Sequence, residues 1–273
     1  MRLINAMKSD SLKITILPLD INQSDPDSNL RLIEQLVSQP AVKNSNIIVL
    51  PELFSTGFIA EKEEIIKYAH SIDGEVLNSI RNLSQKTGAA FSGSFLCNDN
   101  NKFYNRAFFI DPEGNETYYD KHHLFSISPE SRVLRGGNRL SPIINYMGWN
   151  LTMVICYDIR FPVWCRNFNQ QFDIMLVPAN WPNARKYAWE HLLISRAIEN
   201  QCYVVGANRS GDDDYGNYDN LSFIFDPWGK TCGNVDLSTG IVSANIERDF
   251  INDVRRRLPV VNDADSFKID VRQ

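Results

Sequence analysis

The chain has 273 residues, 43% hydrophobic and 22% charged, with 28 Lys and Arg against 33 Asp and Glu for a net charge of −5. Such a chain can bury a sizeable core and is too apolar for disorder. It lacks the basic stripe that a nucleic-acid backbone requires, and no segment approaches the roughly 20 apolar residues of a membrane span. The one dense basic run, Arg255-Arg256-Arg257, lies among Asp and Asn and reads as a helix end or an intersubunit contact.

In chain order, Lys13 to Leu19 predicts a strand. Its apolar stretch from Ile14 is too short and too late for a signal-peptide core, so the cytoplasm is the expected location, and Met7 is an alternative start to Met1. Ser28 to Ser38 predicts a helix with Leu30, Ile33, Leu36 and Val37 on one face, capped by Asp27 or Ser28. Asn46 to Leu50 reads as a short buried strand. Gly74 to Lys86 repeats the helical pattern and Gly88 stops it. Ala89 to Leu96 predicts a strand. Tyr104 to Ile110 and Thr117 to Tyr119 flank Asp111-Pro112-Glu113-Gly114, a hairpin signature.

Leu151 to Ile155 and Asp173 to Val177 are further strands, and Ala188 to Gln201 is a helix with Trp189, Leu193 and Ala197 on one stripe. Cys202 to Asn208, Ser222 to Phe225 and Ile241 to Ile246 read as strands, and Arg248 to Leu258 as a final helix. With no internal repeat and no Gly/Ser linker, this alternation predicts one continuous α/β domain, residues 1–273, with a mixed sheet covered by helices; the number of sheets stays open. The five cysteines are odd in number and show no C-x-x-C spacing, which argues against a disulfide framework. The four histidines pair with no Cys or His at zinc spacing, so no metal is expected.

Two apolar strands end alike. One runs through Pro51 into Glu52, the other into Cys156-Tyr157-Asp158 and Arg160. Ligands in α/β sheets sit beyond the carboxyl ends of strands, so a carboxylate and a thiol there are candidates for one site. Lys121 follows the predicted hairpin. Each has a plainer reading: Cys156 as a small buried hydrophobe, Glu52 as a cap, Lys121 as a solvated charge, Asp158 with Arg160 as an ion pair, Trp181 as a core or rim aromatic, His122 and His123 as packing. Together they offer more. Glu52 could take the thiol proton, Lys121 could favour a thiolate and steady an oxyanion, and a carboxyl could protonate a departing amine.

The segments PELFSTGF (51–58), YDKHHLF (119–125), CYDIRFPVW (156–164), VPANWP (177–182) and SRAIENQCYVVGANRSG (195–211) resemble, in order, blocks of the nitrilase superfamily of carbon–nitrogen hydrolases. The resemblance runs from about Lys13 to Phe267. It implies a four-layer α-β-β-α sandwich, a Glu52-Lys121-Cys156 triad, a second glutamate at Glu130, and an oxyanion held by Lys121 and the Tyr157 N–H. It also implies no cofactor and assembly into homodimers or larger homo-oligomers.

Nitrile-hydrolysing members tend to follow the cysteine with Trp-Glu. Tyr157-Asp158, RFPVW and NWP instead look like the ω-amidase branch, which hydrolyses the distal amide of 2-oxoglutaramate and 2-oxosuccinamate. The alternatives are deaminated glutathione as substrate, or acyl transfer from the same thioester to an amine. A keto acid needs a cation; Arg160, Arg185 and Arg209 are candidates by type, and Phe125 and Trp181 could wall a small pocket.

Overall fold

Neighbouring residues on the strands belong to different cores, as expected when side chains alternate across a sheet. Ile47 and Val49 join one apolar cluster and Ile48 the other; Ala107 and Phe109 face one way and Phe108 the other. This two-sided burial explains the short all-apolar run of residues 47–50. The computed structural model describes residues 9–59, 61–127 and 130–270. The alternative start at Met1 or Met7 lies outside them.

The elements in order are β1 (Ser11–Ile16), α1 (Pro26–Val37), β2 (Ile47–Val49), α2 (Lys62–Tyr68), α3 (Glu75–Thr87), β3 (Ala90–Asp99), β4 (Lys102–Ile110), β5 (Glu116–Asp120) and the short α4 (Glu130–Val133). There follow β6 (Ile144–Tyr146), β7 (Trp149–Met153), β8 (Ile174–Ala179), α5 (Lys186–Asn200), β9 (Tyr203–Asn208), β10 (Ser210–Asp213), β11 (Gly216–Asp219), β12 (Phe223–Phe225), β13 (Asn234–Val235), β14 (Val242–Glu247) and α6 (Arg248–Arg257). Two sheets carry the fold, in the orders β13-β14-β1-β2-β3-β4-β5 and β12-β9-β8-β7-β6, and β10-β11 forms a separate hairpin. β1, β2 and β3 run parallel, as do β7, β8 and β9.

Helices α1 and α3 pack Ile33, Val76, Leu77, Ile80 and Leu83 on the outer face of the first sheet, against Ile48, Phe91 and Phe108. Trp189, Leu193 and Ala197 of α5 pack on the face of the second sheet that carries Met175, Val204 and Gly206, and the sheets meet each other through Ile14, Val49, Phe109, Met153 and Leu176. The result is the four-layer α-β-β-α sandwich. Among the described residues no helix is long and apolar enough to cross a membrane.

Two local expectations are corrected, the start of α1 and the pairing of Asp158 with Arg160, while the helix-end reading of Arg255-Arg256-Arg257 holds. α1 begins at Pro26, with Asp25 accepting the Ser28 N–H at 3.0 Å, because proline is well suited to a first helical turn whose amide has no partner. Arg255 closes α6 within its own chain: it bonds Asp173 at 2.7 Å and the Gln201 and Phe172 carbonyls, while Arg256 and Arg257 pair with Asp253. Asp158 and Arg160 do not pair, because Tyr119, His123 and the Ile155 amide occupy the Asp158 carboxyl.

Candidate active site

The chain leaving β2 meets the end of β8, where the Glu52 amide donates to the Ala179 carbonyl at 3.4 Å, and β7 runs parallel beside β8. After β2 the chain leaves through Pro51, and Leu53 takes a left-handed turn (φ 48°) whose amide donates to Ser94 Oγ at 3.0 Å. That turn directs Glu52 inward. After β7, Val154 still bonds across to Leu176 (3.0 Å), and Cys156 then adopts φ 44° at the head of a 3-10 turn, Cys156–Arg160. A β-carbon in the left-handed region costs about 1–2 kcal/mol, and such conformations persist only where the surroundings over-determine them. Lys121 follows β5, its amide still bonded to the Asn105 carbonyl at 2.9 Å. Gly137 donates to the Lys121 carbonyl, and a Cβ there would lie 2.2 Å from the Asp120 carbonyl oxygen, so only glycine fits this crossing.

These three residues and Glu130 form one buried cluster. Lys121 Nζ lies 2.7 Å from Glu52 Oε1 and 3.0 Å from each oxygen of Glu130. Asn105 Nδ2 donates to Glu52 at 2.8 Å and to Glu130 at 3.2 Å. The Asn180 amide donates to Glu52 Oε2 at 2.8 Å, and the Phe125 amide to Glu130 Oε2 at 2.9 Å. Burial alone would lower the Lys121 pKa, but the Glu130 and Glu52 carboxylates outweigh it and hold the ammonium charged.

Cys156 is 8% exposed and faces Glu52, Lys121 and the Asn180 amide. Burial pushes its thiol well above the ordinary value, the Glu52 charge adds to this, and Lys121 opposes it without prevailing. Lys121 thus pulls toward the thiolate, as expected of a neighbouring cation, but burial and the Glu52 charge together outweigh it.

Glu52, Lys121, Glu130 and Cys156 lie at the floor of a cavity of about 240 Å³, whose walls include Tyr157, Phe125, Trp181, Arg160 and Arg185. Every predicted site residue is therefore gathered there except Arg209, which is buried elsewhere. Arg209 is held by Asp213 at 2.6 Å and by the Ile21, Ser210 and Asp212 carbonyls. Arg160 stands 4.7 Å from the Trp181 ring centroid and 5.9 Å from that of Tyr157. Its expected partner Asp158 is instead taken by Tyr119, His123 and the Ile155 amide. Among the described residues no carboxylate lies within ion-pair range of Arg160 or Arg185. His122 and His123 pack as expected, stacked on Trp164 and Phe161.

Sequence reasoning missed Asn105, Asn180, Phe58, Tyr215 and Tyr218. Asn105 had a signal: it occupies an inward position of β4, between residues that alternate buried and half-buried, where an apolar side chain is the rule. Phe58 and Tyr215 come from separate loops and meet edge to face across the mouth, ring centroids 4.9 Å apart. Among the described residues no group of three or more His, Cys, Asp or Glu could hold a metal ion.

Two stacked sheets between helical layers, with Glu, Lys, Cys and a second Glu gathered where the strands end, define the nitrilase-superfamily architecture. The chain belongs to the carbon-nitrogen hydrolase family, whose model matches residues 13–256. It is 36% identical over 259 residues to the omega-amidase YafV of Yersinia enterocolitica, covering 94% of this chain and 98% of that protein. It is 32% identical over 255 residues to the 2-oxoglutaramate amidase of Bacillus subtilis, covering 92% and 96%. A CN-hydrolase superfamily protein of Xanthomonas campestris, solved with an arsenic adduct in its active site, superposes with a TM-score of 0.89 at 34% identity, over 96% of this chain and 100% of that one.

Proposed function

We propose that the chain hydrolyses the terminal amide of a small 2-oxo acid, such as 2-oxoglutaramate or 2-oxosuccinamate, through a thioester on Cys156. The observation that carries this reading is a buried thiol beside Glu52 and Lys121 in a small cavity walled by two arginines. The relatives named omega-amidase and 2-oxoglutaramate amidase support the same substrate class.

The thiol starts neutral, so Glu52 takes its proton as sulfur attacks the amide carbon. The oxyanion is held by the Lys121 ammonium and by the Tyr157 N–H, an amide at the open start of the 3-10 turn. Glu52 returns the proton to nitrogen and ammonia leaves. Water, losing a proton to Glu52, attacks the thioester; the acid departs and the proton goes back to sulfur. Glu130 holds Lys121 in place and balances its charge. Arg160, lodged against two aromatic rings, receives the substrate carboxylate, and Phe125 and Trp181 line the pocket around it.

The reading includes assembly into a homodimer or larger homo-oligomer, supported by an outward apolar hollow lined by Ile198, Trp228, Leu258 and Val260. It also includes a cytoplasmic location, supported by five free cysteines, which suit a reducing compartment.

The test is ammonia release from 2-oxoglutaramate, 2-oxosuccinamate, deaminated glutathione, glutamine and a simple nitrile, with Cys156→Ala as the blank. Release from the 2-oxo amides that Cys156→Ala abolishes is the expected result. Full activity in Cys156→Ala would end the mechanism. Preference for deaminated glutathione, or transfer to an added amine faster than to water, would replace the substrate or the reaction class.

A further inference from the structure

Asp158 takes no step in the chemistry above, yet it is a fully buried carboxylate two residues past the nucleophile. Burying a carboxylate costs several kcal/mol unless its lone pairs are satisfied, and here donors meet both oxygens. Oδ2 accepts from the Ile155 N–H at 3.1 Å and the Tyr119 hydroxyl at 2.8 Å. Oδ1 accepts from the His123 N–H at 2.8 Å and lies 2.9 Å from His123 Nδ1. The donors are themselves fixed: Trp164 Nε1 donates to the Tyr119 hydroxyl at 2.8 Å, and the His123 ring stacks on Phe161 at 3.6 Å between centroids.

The donors come from two places. Ile155 immediately precedes Cys156. Tyr119 and His123 stand two residues to either side of Lys121. One carboxylate thus grips the nucleophile turn with one oxygen and the chain around the cation with both.

We infer that Asp158 is a positioning residue that sets the placement of the Cys156 thiol relative to the Lys121 ammonium, and that Tyr119 and His123 are its two arms. The inference rests on the roles proposed for Cys156 and Lys121. The need for such a tie is visible in the backbone: Cys156 sits in the left-handed region, which its surroundings must enforce. Asp158 enforces it with a side chain that reaches both the amide before the thiol and the segment on either side of the lysine.

Asparagine at 158 keeps the shape and loses the function. One of its ends becomes an NH₂ facing donors, so either the Ile155 and Tyr119 side or the His123 side is broken.

The experiment compares wild type, Asp158→Asn and Tyr119→Phe. It measures kcat and KM for ammonia release, thermal midpoint, and the rate at which iodoacetamide alkylates Cys156, followed on its own peptide by mass. A misplacement of about 1 Å can cost on the order of 100-fold. The expected result for Asp158→Asn is a kcat loss of that order with KM nearly unchanged and slowed alkylation of Cys156. Tyr119→Phe, which removes one arm, shows a smaller loss of the same kind.

Folded variants with wild-type kcat and alkylation rate overturn the inference. So does a loss confined to thermal midpoint, which is what a purely structural carboxylate would give. If Asp158→Asn does not fold, Tyr119→Phe decides by the same criteria. If wild type releases no ammonia, the function reading fails, and the alkylation rates still test the tie by themselves.

Discussion

Replacing Glu130 by glutamine isolates the second carboxylate of the site. In the native cluster the Glu52 and Glu130 side chains share the single ammonium of Lys121. Glu130 accepts from Lys121 with both oxygens, from Asn105 and from the Phe125 amide. Each of these three partners is a donor. The NH₂ of glutamine therefore opposes a donor in either orientation, and Lys121 keeps one neutral acceptor there and its ion pair with Glu52. Two effects follow. Lys121 draws toward Glu52 and weakens it as a base, and the ammonium moves off the position it needs for the oxyanion. A hydrogen bond to a charged group is worth about 1.5–3 kcal/mol, and 1.36 kcal/mol is tenfold in rate. Losing one such bond from the transition state predicts a fall in kcat of about 10- to 100-fold. Steady-state ammonia release, with thermal midpoints to correct for folding, measures it. A kcat within twofold of wild type, or a loss appearing wholly in KM, would refute the assignment of Glu130 to Lys121 positioning.

Two further outcomes are expected. Arg160→Gln raises KM for amides that carry a carboxylate by about tenfold or more, given about 1.5–3 kcal/mol for a charge-assisted contact; neutral short amides lose nothing, and equal losses on both would remove Arg160 from substrate binding. Alkaline pH destabilises the fold through its thiols. Burial holds Cys97 and Cys165 up to about 12, and Cys156 and Cys202 higher than the ordinary thiol value. The unfolded chain sheds these protons above about pH 8.5 while the native state keeps them, so the stabilisation is whole below that pH and declines as pH rises. Each thiol costs about 1.4 kcal/mol per pH unit in that window. Urea midpoints at pH 8 and pH 10 read it, and a flat profile contradicts it.

What was legible in the sequence follows from how each signal is written. The buried strands read clearly because burial on two faces needs unbroken apolar runs such as residues 47–50. The helices α3 and α5 read clearly from their apolar stripes, while α1 was started two residues late because proline was not credited as its first residue. The short strands β6 and β13, the helix α2 and the hairpin β10-β11 carry too few residues to show a period. Glu52, Lys121 and Cys156 stood out because each ends a strand; Glu130 followed from the resemblance alone. Asn105 did not stand out, since a polar residue in a strand reads as solvent-facing until the register places it inward. The false pairing of Arg160 with Asp158 came from treating closeness in sequence as contact. In a 3-10 turn residues two apart project on different sides, and here one enters the core while the other faces the cavity.

The left-handed backbone at Cys156 bears on how such a protein resists its own improvement. Glycine is the residue that position favours, for it accepts φ 44° without the clash of a β-carbon. A glycine there would relieve the backbone and lose the buried thiol with its packing, so relief of strain and loss of core contact oppose each other at this position. The thiol proposed as nucleophile is held in a backbone conformation that its surroundings must enforce.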